Sequence, residues 1–183
     1  KPTQEGFYQH FKAIADEVDL PIVLYNIPGR CGAGMTPETI ARLDELENIV
    51  AIKEATGSLD QASEIAMRCD ITILSGDDSL TLPLASVGGK GVISVVANIV
   101  PADVKAMTDL ILEGDLVKAR QWHRKLFALS KNMLTLATNP IPIKAAMAML
   151  DMCSDELRLP MTPLEPAKKT ALKQTLTDYG LLS

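Results

Sequence analysis

Val50-Ala51-Ile52-Lys53-Glu54-Ala55 is a short apolar run that carries a lysine near its end. Three further runs rich in Val and Ile accompany it: Ile22–Pro28 (IVLYNIP), Ile71–Asp77 (ITILSGD) and Gly91–Asn98 (GVISVVAN). All four are continuous rather than alternating, the pattern expected of strands buried on both faces of a parallel sheet. Helical patterns fill the intervals. Ahead of the first run, Phe7, Phe11, Ile14 and Val18 fall on one helical face. Thr36-Pro37-Glu38 reads as an N-cap followed by proline at the first helical position, leading into Ile40, Leu43 and Leu46. Ser58-Leu59-Asp60-Gln61 has the form of a capping box. Asp77 or Asp78 is placed to cap a fourth helix that ends at Gly88-Gly89. The runs begin 28, 21 and 20 residues apart. One helix per interval at that spacing marks repeated βα units.

From Pro101 onward the strand patterns stop. Residues 101–113, 115–137, 143–152 and 165–179 read as helices, with Gly114 and Gly180 as C-terminal stops. Four βα units do not close a barrel, since an eight-fold barrel takes about 250 residues. The residues leave two readings open: a small open α/β domain with a helical tail, or the back half of a larger barrel.

The 183 residues hold 18 Lys+Arg against 23 Asp+Glu, a formal charge of −5, with 47% hydrophobic and 22% charged residues. These are the proportions of a globular protein with a core. The acidic balance and the lack of a basic stripe argue against nucleic acid, because binding a phosphate backbone depends on releasing its counterions. No apolar run approaches the roughly 20 residues of a membrane helix. Cys31, Cys69 and Cys153 are scattered, with no CxxC and no Cys/His cluster, which argues against a disulfide framework or a zinc site and fits a reducing cytosol.

Chemistry on parallel α/β folds sits at the C-terminal ends of strands. Those ends carry Tyr25-Asn26, Lys53, Ser75-Gly76-Asp77, and Ser94 with Asn98. An apolar strand end disfavours an ammonium group and favours the free amine, which can attack a ketone and form a Schiff base. The plainer reading of Lys53 is a salt bridge to a carboxylate such as Asp77. Tyr25 is placed either to relay protons beside such a lysine or to pack in the core with its hydroxyl on a backbone partner. Arg30, after Pro28-Gly29, is either a fork for a substrate carboxylate or an ordinary surface arginine. Gly76-Asp77-Asp78 offers paired carboxylates, although an Asp at a strand–helix junction is more often a cap. His10 and His123 stand on helices without evident partners.

Tyr25-Asn-Ile-Pro28, Val50-Ala-Ile-Lys53-Glu-Ala-Thr-Gly57 and Leu74-Ser-Gly-Asp-Asp78, taken together, resemble the dihydrodipicolinate synthase family, whose members are Schiff-base lyases and aldolases sharing a pyruvate-binding TIM barrel. The resemblance runs over essentially the whole chain. Arg30 after Pro-Gly, Gly91-Val-Ile-Ser-Val95 and Asn139-Pro-Ile-Pro-Ile-Lys144 are similar to the synthase branch rather than to N-acetylneuraminate lyase or the 2-keto-3-deoxy sugar-acid aldolases. It implies an α/β fold: the last four βα units of a (β/α)8 barrel over residues 1–114, then a C-terminal helical region over 115–183.

The implied reaction joins pyruvate to aspartate 4-semialdehyde, giving a hydroxylated tetrahydrodipicolinate on the path to diaminopimelate and lysine. Lys53 would form the imine and Tyr25 relay protons. Arg30 would hold the semialdehyde carboxylate, while Ile93 and Gly76 contact substrate. No metal or nucleotide cofactor is implied, and a cytoplasmic homo-oligomer, a dimer of dimers, is. Cys31 departs from the family's usual Thr or Ser. Lys1-Pro-Thr-Gln-Glu-Gly6 matches the segment just after the fourth barrel strand in the family. The first four units are therefore expected to lie outside this chain, which alone is expected to be inactive. A sugar-acid aldolase and a non-catalytic assembly module are the alternatives.

Overall fold

Strands β1 (Ile22–Asn26), β2 (Ile49–Glu54), β3 (Thr72–Ser75) and β4 (Gly91–Val92) form one parallel sheet in chain order β1-β2-β3-β4. The computed structural model describes all residues from Lys1 to Ser183. Helix α1 (Gln4–Glu17) precedes the sheet. The single turn α2 (Pro28–Cys31) and α3 (Pro37–Asp44) link β1 to β2; α4 (Leu59–Arg68) and then α5 (Thr81–Ala85) follow β2 and β3. The chain divides into two compact units, Lys1–Ile93 and Ser94–Ser183, so the turn at Gly114 lies inside the second.

Four local signals in the sequence act as they read. Thr36 caps α3 by accepting from the Thr39 amide with Pro37 at the first position, and Ser58 caps α4 by accepting from the Gln61 amide at 3.1 Å. Gly114 and Gly180 stand at φ +79° and +89° past the ends of their helices. Two signals do not. The Gln61 side chain does not return to Ser58 but reaches the Met35 carbonyl, 3.1 Å away. Asp77 precedes a 3-10 turn, Asp78–Leu80, without a side-chain cap bond; Thr81 Oγ1 donates to the Asp78 carbonyl instead, at 2.9 Å. The fourth strand is also shorter than its apolar run. It pairs only through Gly91 and Val92, after which Ser94 Oγ accepts from the Ala97 amide and turns the chain into a 3-10 segment, Val96–Asn98.

The sheet is covered on one face only, not on both as the continuous runs imply. Leu24, Ile52 and Ile73 face Ile40 and Leu43 of α3, Ala62 and Ile65 of α4 and Leu84 of α5, with Phe7 and Phe11 of α1 at the edge. Removing that much apolar surface from water is the main force holding the unit together, at roughly 1.5–3 kcal/mol per large side chain. The opposite face carries Val23, Tyr25 and Lys53, with Val23 45% and Tyr25 42% exposed. A continuous run reports that both faces of a strand are apolar, and not what covers each. Helices on one face, an open apolar other face, and edges at β1 and β4 that each have one neighbour are the architecture of four consecutive units of a (β/α)8 barrel.

The second unit is helical: α6 (Pro101–Leu112), α7 (Leu116–Thr135), α8 (Ile141–Met149) and α9 (Pro166–Tyr179). Met107, Ala119, Leu126, Leu129, Met133, Ala146, Leu172 and Leu176 are buried. No helix of the chain is long and apolar enough to cross a membrane. Asp103 ties three of these helices, accepting from Lys125 Nζ at 2.7 Å and from the Tyr179 hydroxyl at 2.5 Å. Burial would raise the Asp103 carboxyl, but the bonds from Lys125 and Tyr179 outweigh it and hold the group below its ordinary value. A carboxyl held low in the folded state stabilises above its unfolded value near 4 and loses that contribution as pH falls through the folded value. Asp103→Asn should therefore cost about 1 kcal/mol at neutral pH and progressively less at a pH taken below the unfolded carboxylate value near 4. Urea melts at the two pH values check this. An equal penalty at both would place the stabilisation elsewhere.

Candidate active site

Tyr25 and Lys53 are directly opposite one another in the β1–β2 register. Both belong to the open face, because their neighbours Asn26 and Glu54 turn toward the helices and are 2% and 3% exposed. Lys53 is half-buried, and its Nζ lies 4.1 Å from the centroid of the Tyr25 ring, within the range of a cation–π contact. Lys53 forms no salt bridge, so the structural reading in which it merely pairs with Asp77 does not hold. Asp77 is nevertheless close enough to feel it. Burial and then the neighbouring Asp78 push the Asp77 carboxyl up, while Lys53 pulls it back.

The remaining candidates sit at the same end of the sheet. Arg30 lies in α2, one helical turn that begins at Pro28 and stops at Gly32, whose φ of +69° a glycine adopts without strain. Arg30 is exposed two residues before that stop. Gly76 follows β3, and its amide donates to the Glu54 carbonyl at 2.8 Å. A Cβ there would fall 2.4 Å from Ala55 Cβ, so glycine is needed for the close approach of the two strand ends. The Ile93 amide is likewise committed, donating to the Ser75 carbonyl at 2.9 Å. A backbone contact from Ile93 or Gly76 to a ligand must therefore use the carbonyl.

The chain as a whole has counterparts among known proteins. Residues 1–179 match the model of the dihydrodipicolinate synthetase family. The chain belongs to the dihydrodipicolinate synthetase family. A curated relative, the 4-hydroxy-tetrahydrodipicolinate synthase of Geotalea uraniireducens, is 53% identical across the whole chain, which covers 63% of that protein. Among solved structures, the dihydrodipicolinate synthase of Aquifex aeolicus is 48% identical with a TM-score of 0.96, over 99% of this chain and 62% of its own. The chloride-inhibited dihydrodipicolinate synthase of Acinetobacter baumannii, solved in complex with pyruvate, is 38% identical with a TM-score of 0.95, over 100% of this chain and 63% of its own. The chain thus spans somewhat under two thirds of the length of these dihydrodipicolinate synthetase relatives.

Behind the Tyr25–Lys53 pair, this member of the dihydrodipicolinate synthetase family holds a buried polar network that reading for nucleophiles and bases overlooked. Asn26 Nδ2 donates to Glu54 Oε2 and to the Met35 carbonyl, each at 3.2 Å, and Asn26 Oδ1 accepts from the Met35 amide at 3.0 Å. Glu54 Oε1 accepts from the Thr56 amide at 2.7 Å. Gln4 closes the outer side, donating to the Gly34 carbonyl and accepting from the Thr36 amide and the Thr39 hydroxyl. A signal was present in the sequence: polar residues come directly after Tyr25 and Lys53, at the ends of otherwise apolar runs.

Proposed function

We propose that the chain provides the Schiff-base half of a 4-hydroxy-tetrahydrodipicolinate synthase active site, acting on pyruvate and aspartate 4-semialdehyde. The placement of Tyr25 opposite Lys53, with Nζ over the ring on the open face of the sheet, carries this reading. The Lys53 amine attacks the pyruvate ketone, and loss of water leaves an imine. A proton then leaves the methyl carbon to give an enamine, which attacks the semialdehyde carbon. The semialdehyde's own amine closes the ring on the imine carbon and releases Lys53, so the product keeps its hydroxyl. Tyr25 carries protons in these steps, and the carbonyls of Ile93 and Gly76 can accept from an N–H or O–H group of the bound intermediates. Further strands on the edges of β1 and β4 would wall the open face and exclude water.

Sodium borohydride added with pyruvate tests the reading. Applied to the chain, and to the chain joined to the part of the Geotalea uraniireducens relative that it does not match, it should fix a reduced pyruvyl group on Lys53, read by peptide mass. Absence of that adduct from both would overturn the assignment.

Arg30 separates the synthase from a sugar-acid aldolase, because a carboxylate-bearing acceptor rewards a guanidinium and a polyhydroxylated one does not. In the joined protein, Arg30→Ala should lower kcat/KM for the semialdehyde by about 10- to 150-fold, the cost of a charge-assisted contact worth roughly 1.5–3 kcal/mol. Imine formation with pyruvate should stay nearly intact. Unaltered kinetics toward the semialdehyde would remove Arg30 from the site.

A further inference from the structure

We propose that Asn26 and Glu54 are positioning residues for the Tyr25–Lys53 pair, an inference that rests on the reading of that pair given above. Side chains on a strand alternate between faces, so Asn26 and Glu54 stand immediately behind Tyr25 and Lys53 in the same two strands. The register matches Tyr25 to Lys53 and Asn26 to Glu54, and the second match is sealed by a side-chain hydrogen bond. A slip of one residue would reverse every side chain, placing the carboxyl on the open face and the amine among Ile40, Leu43 and Ile65. The network opposes such a slip and pins both loops that leave the site. Asn26 holds Met35 by its amide and carbonyl, closing the segment that carries Arg30. Glu54 holds the Thr56 amide, closing the turn after Lys53.

The donors around Glu54 make the acid specific. Its two oxygens receive the Thr56 amide at 2.7 Å, Asn26 Nδ2 at 3.2 Å and, at the limit of a hydrogen bond, Gln61 Nε2 at 3.5 Å. A carboxyl group accepts at both oxygens. A carboxamide of the same shape must turn its NH2 against one of these donors, leaving two buried donors face to face. Glu54→Gln is therefore isosteric yet mismatched, and relief of the strain displaces the Thr56 turn or the Asn26 side chain, each joined directly to a strand end. Displacement of a reacting group by about 1 Å costs on the order of 100-fold in rate.

Two measurements on Glu54→Gln, made on the chain and on the joined protein, test the proposal. The rate of pyruvate trapping at saturation should fall about 10- to 100-fold, with the half-saturating pyruvate concentration within about threefold of the parent's. The ring-current shift that Tyr25 imposes on the Lys53 ε-methylene, read by NMR, should be lost. Ile65→Val, which loosens the same core without touching the network, should lower Tm and leave both readouts in place. Should Glu54→Gln not fold, Gln61→Met removes the outer donor from a half-buried position and should still slow trapping about threefold. A parent that shows the ring-current shift but traps no pyruvate would end the proposed function and not the positioning role. A Glu54→Gln protein that folds with shift and rate unchanged, or an equal loss in Ile65→Val, would end the positioning role.

Discussion

Lys53→Ala should abolish the borohydride-trapped pyruvyl adduct and lower turnover in the joined protein by at least about 10⁴-fold, the scale on which loss of a covalent nucleophile acts. The reason is that Lys53 is the one amine at the C-terminal ends of the four strands. The aromatic partner on the open face is a tyrosine, and the nearby carboxyls of Asp77 and Asp78 do not form imines. The substitution removes a half-buried side chain that has no salt bridge, so its effect on stability should stay within about 1 kcal/mol, the value of the ring contact. Tm and peptide mass measured on the same sample separate chemistry from folding. A folded Lys53→Ala protein that still acquires the pyruvyl mass would place the nucleophile elsewhere.

Tyr25→Phe is the second large effect. The ring remains, so the 4.1 Å contact with Lys53 Nζ is retained and only the hydroxyl is removed. General acid–base participation is worth about 10²- to 10⁴-fold, and condensation should slow by that factor while the adduct can still be trapped over longer times. Because Tyr25 is 42% exposed, stability should change little. A loss in rate under about threefold would reduce Tyr25 to a platform for the ammonium.

The contrast between these two residues and Asn26 and Glu54 shows how far the sequence could be read. The βα repeat was legible because strand and helix periods differ and each interval has room for one helix, and because caps such as Thr36 and Ser58 act over three residues. The place of Lys53 at a strand end was legible because a lone charge stands out in an apolar run. The length of β4 was not, since Gly91–Val95 is apolar enough to extend, whereas the Ser94 bond to Ala97 turns the chain into a 3-10 segment. Asn26 and Glu54 read as ordinary strand ends, and Gly76 as part of a carboxylate motif, because their meaning lies in partners 28 and 21 residues away.

The sequence by itself determined the order of the elements, their caps, and the residue types able to do Schiff-base chemistry, all of which rest on interactions within a few positions of the chain. Only the tertiary structure decided which face of each strand lies under helices and that Tyr25 meets Lys53 across the β1–β2 ladder. It also decided that Lys53 is left without a carboxylate and that Glu54 is enclosed by donors. The physical reason is that register and burial are set by packing between segments far apart in the chain. An apolar run satisfies that packing on either face, so its composition does not record which side the helices take.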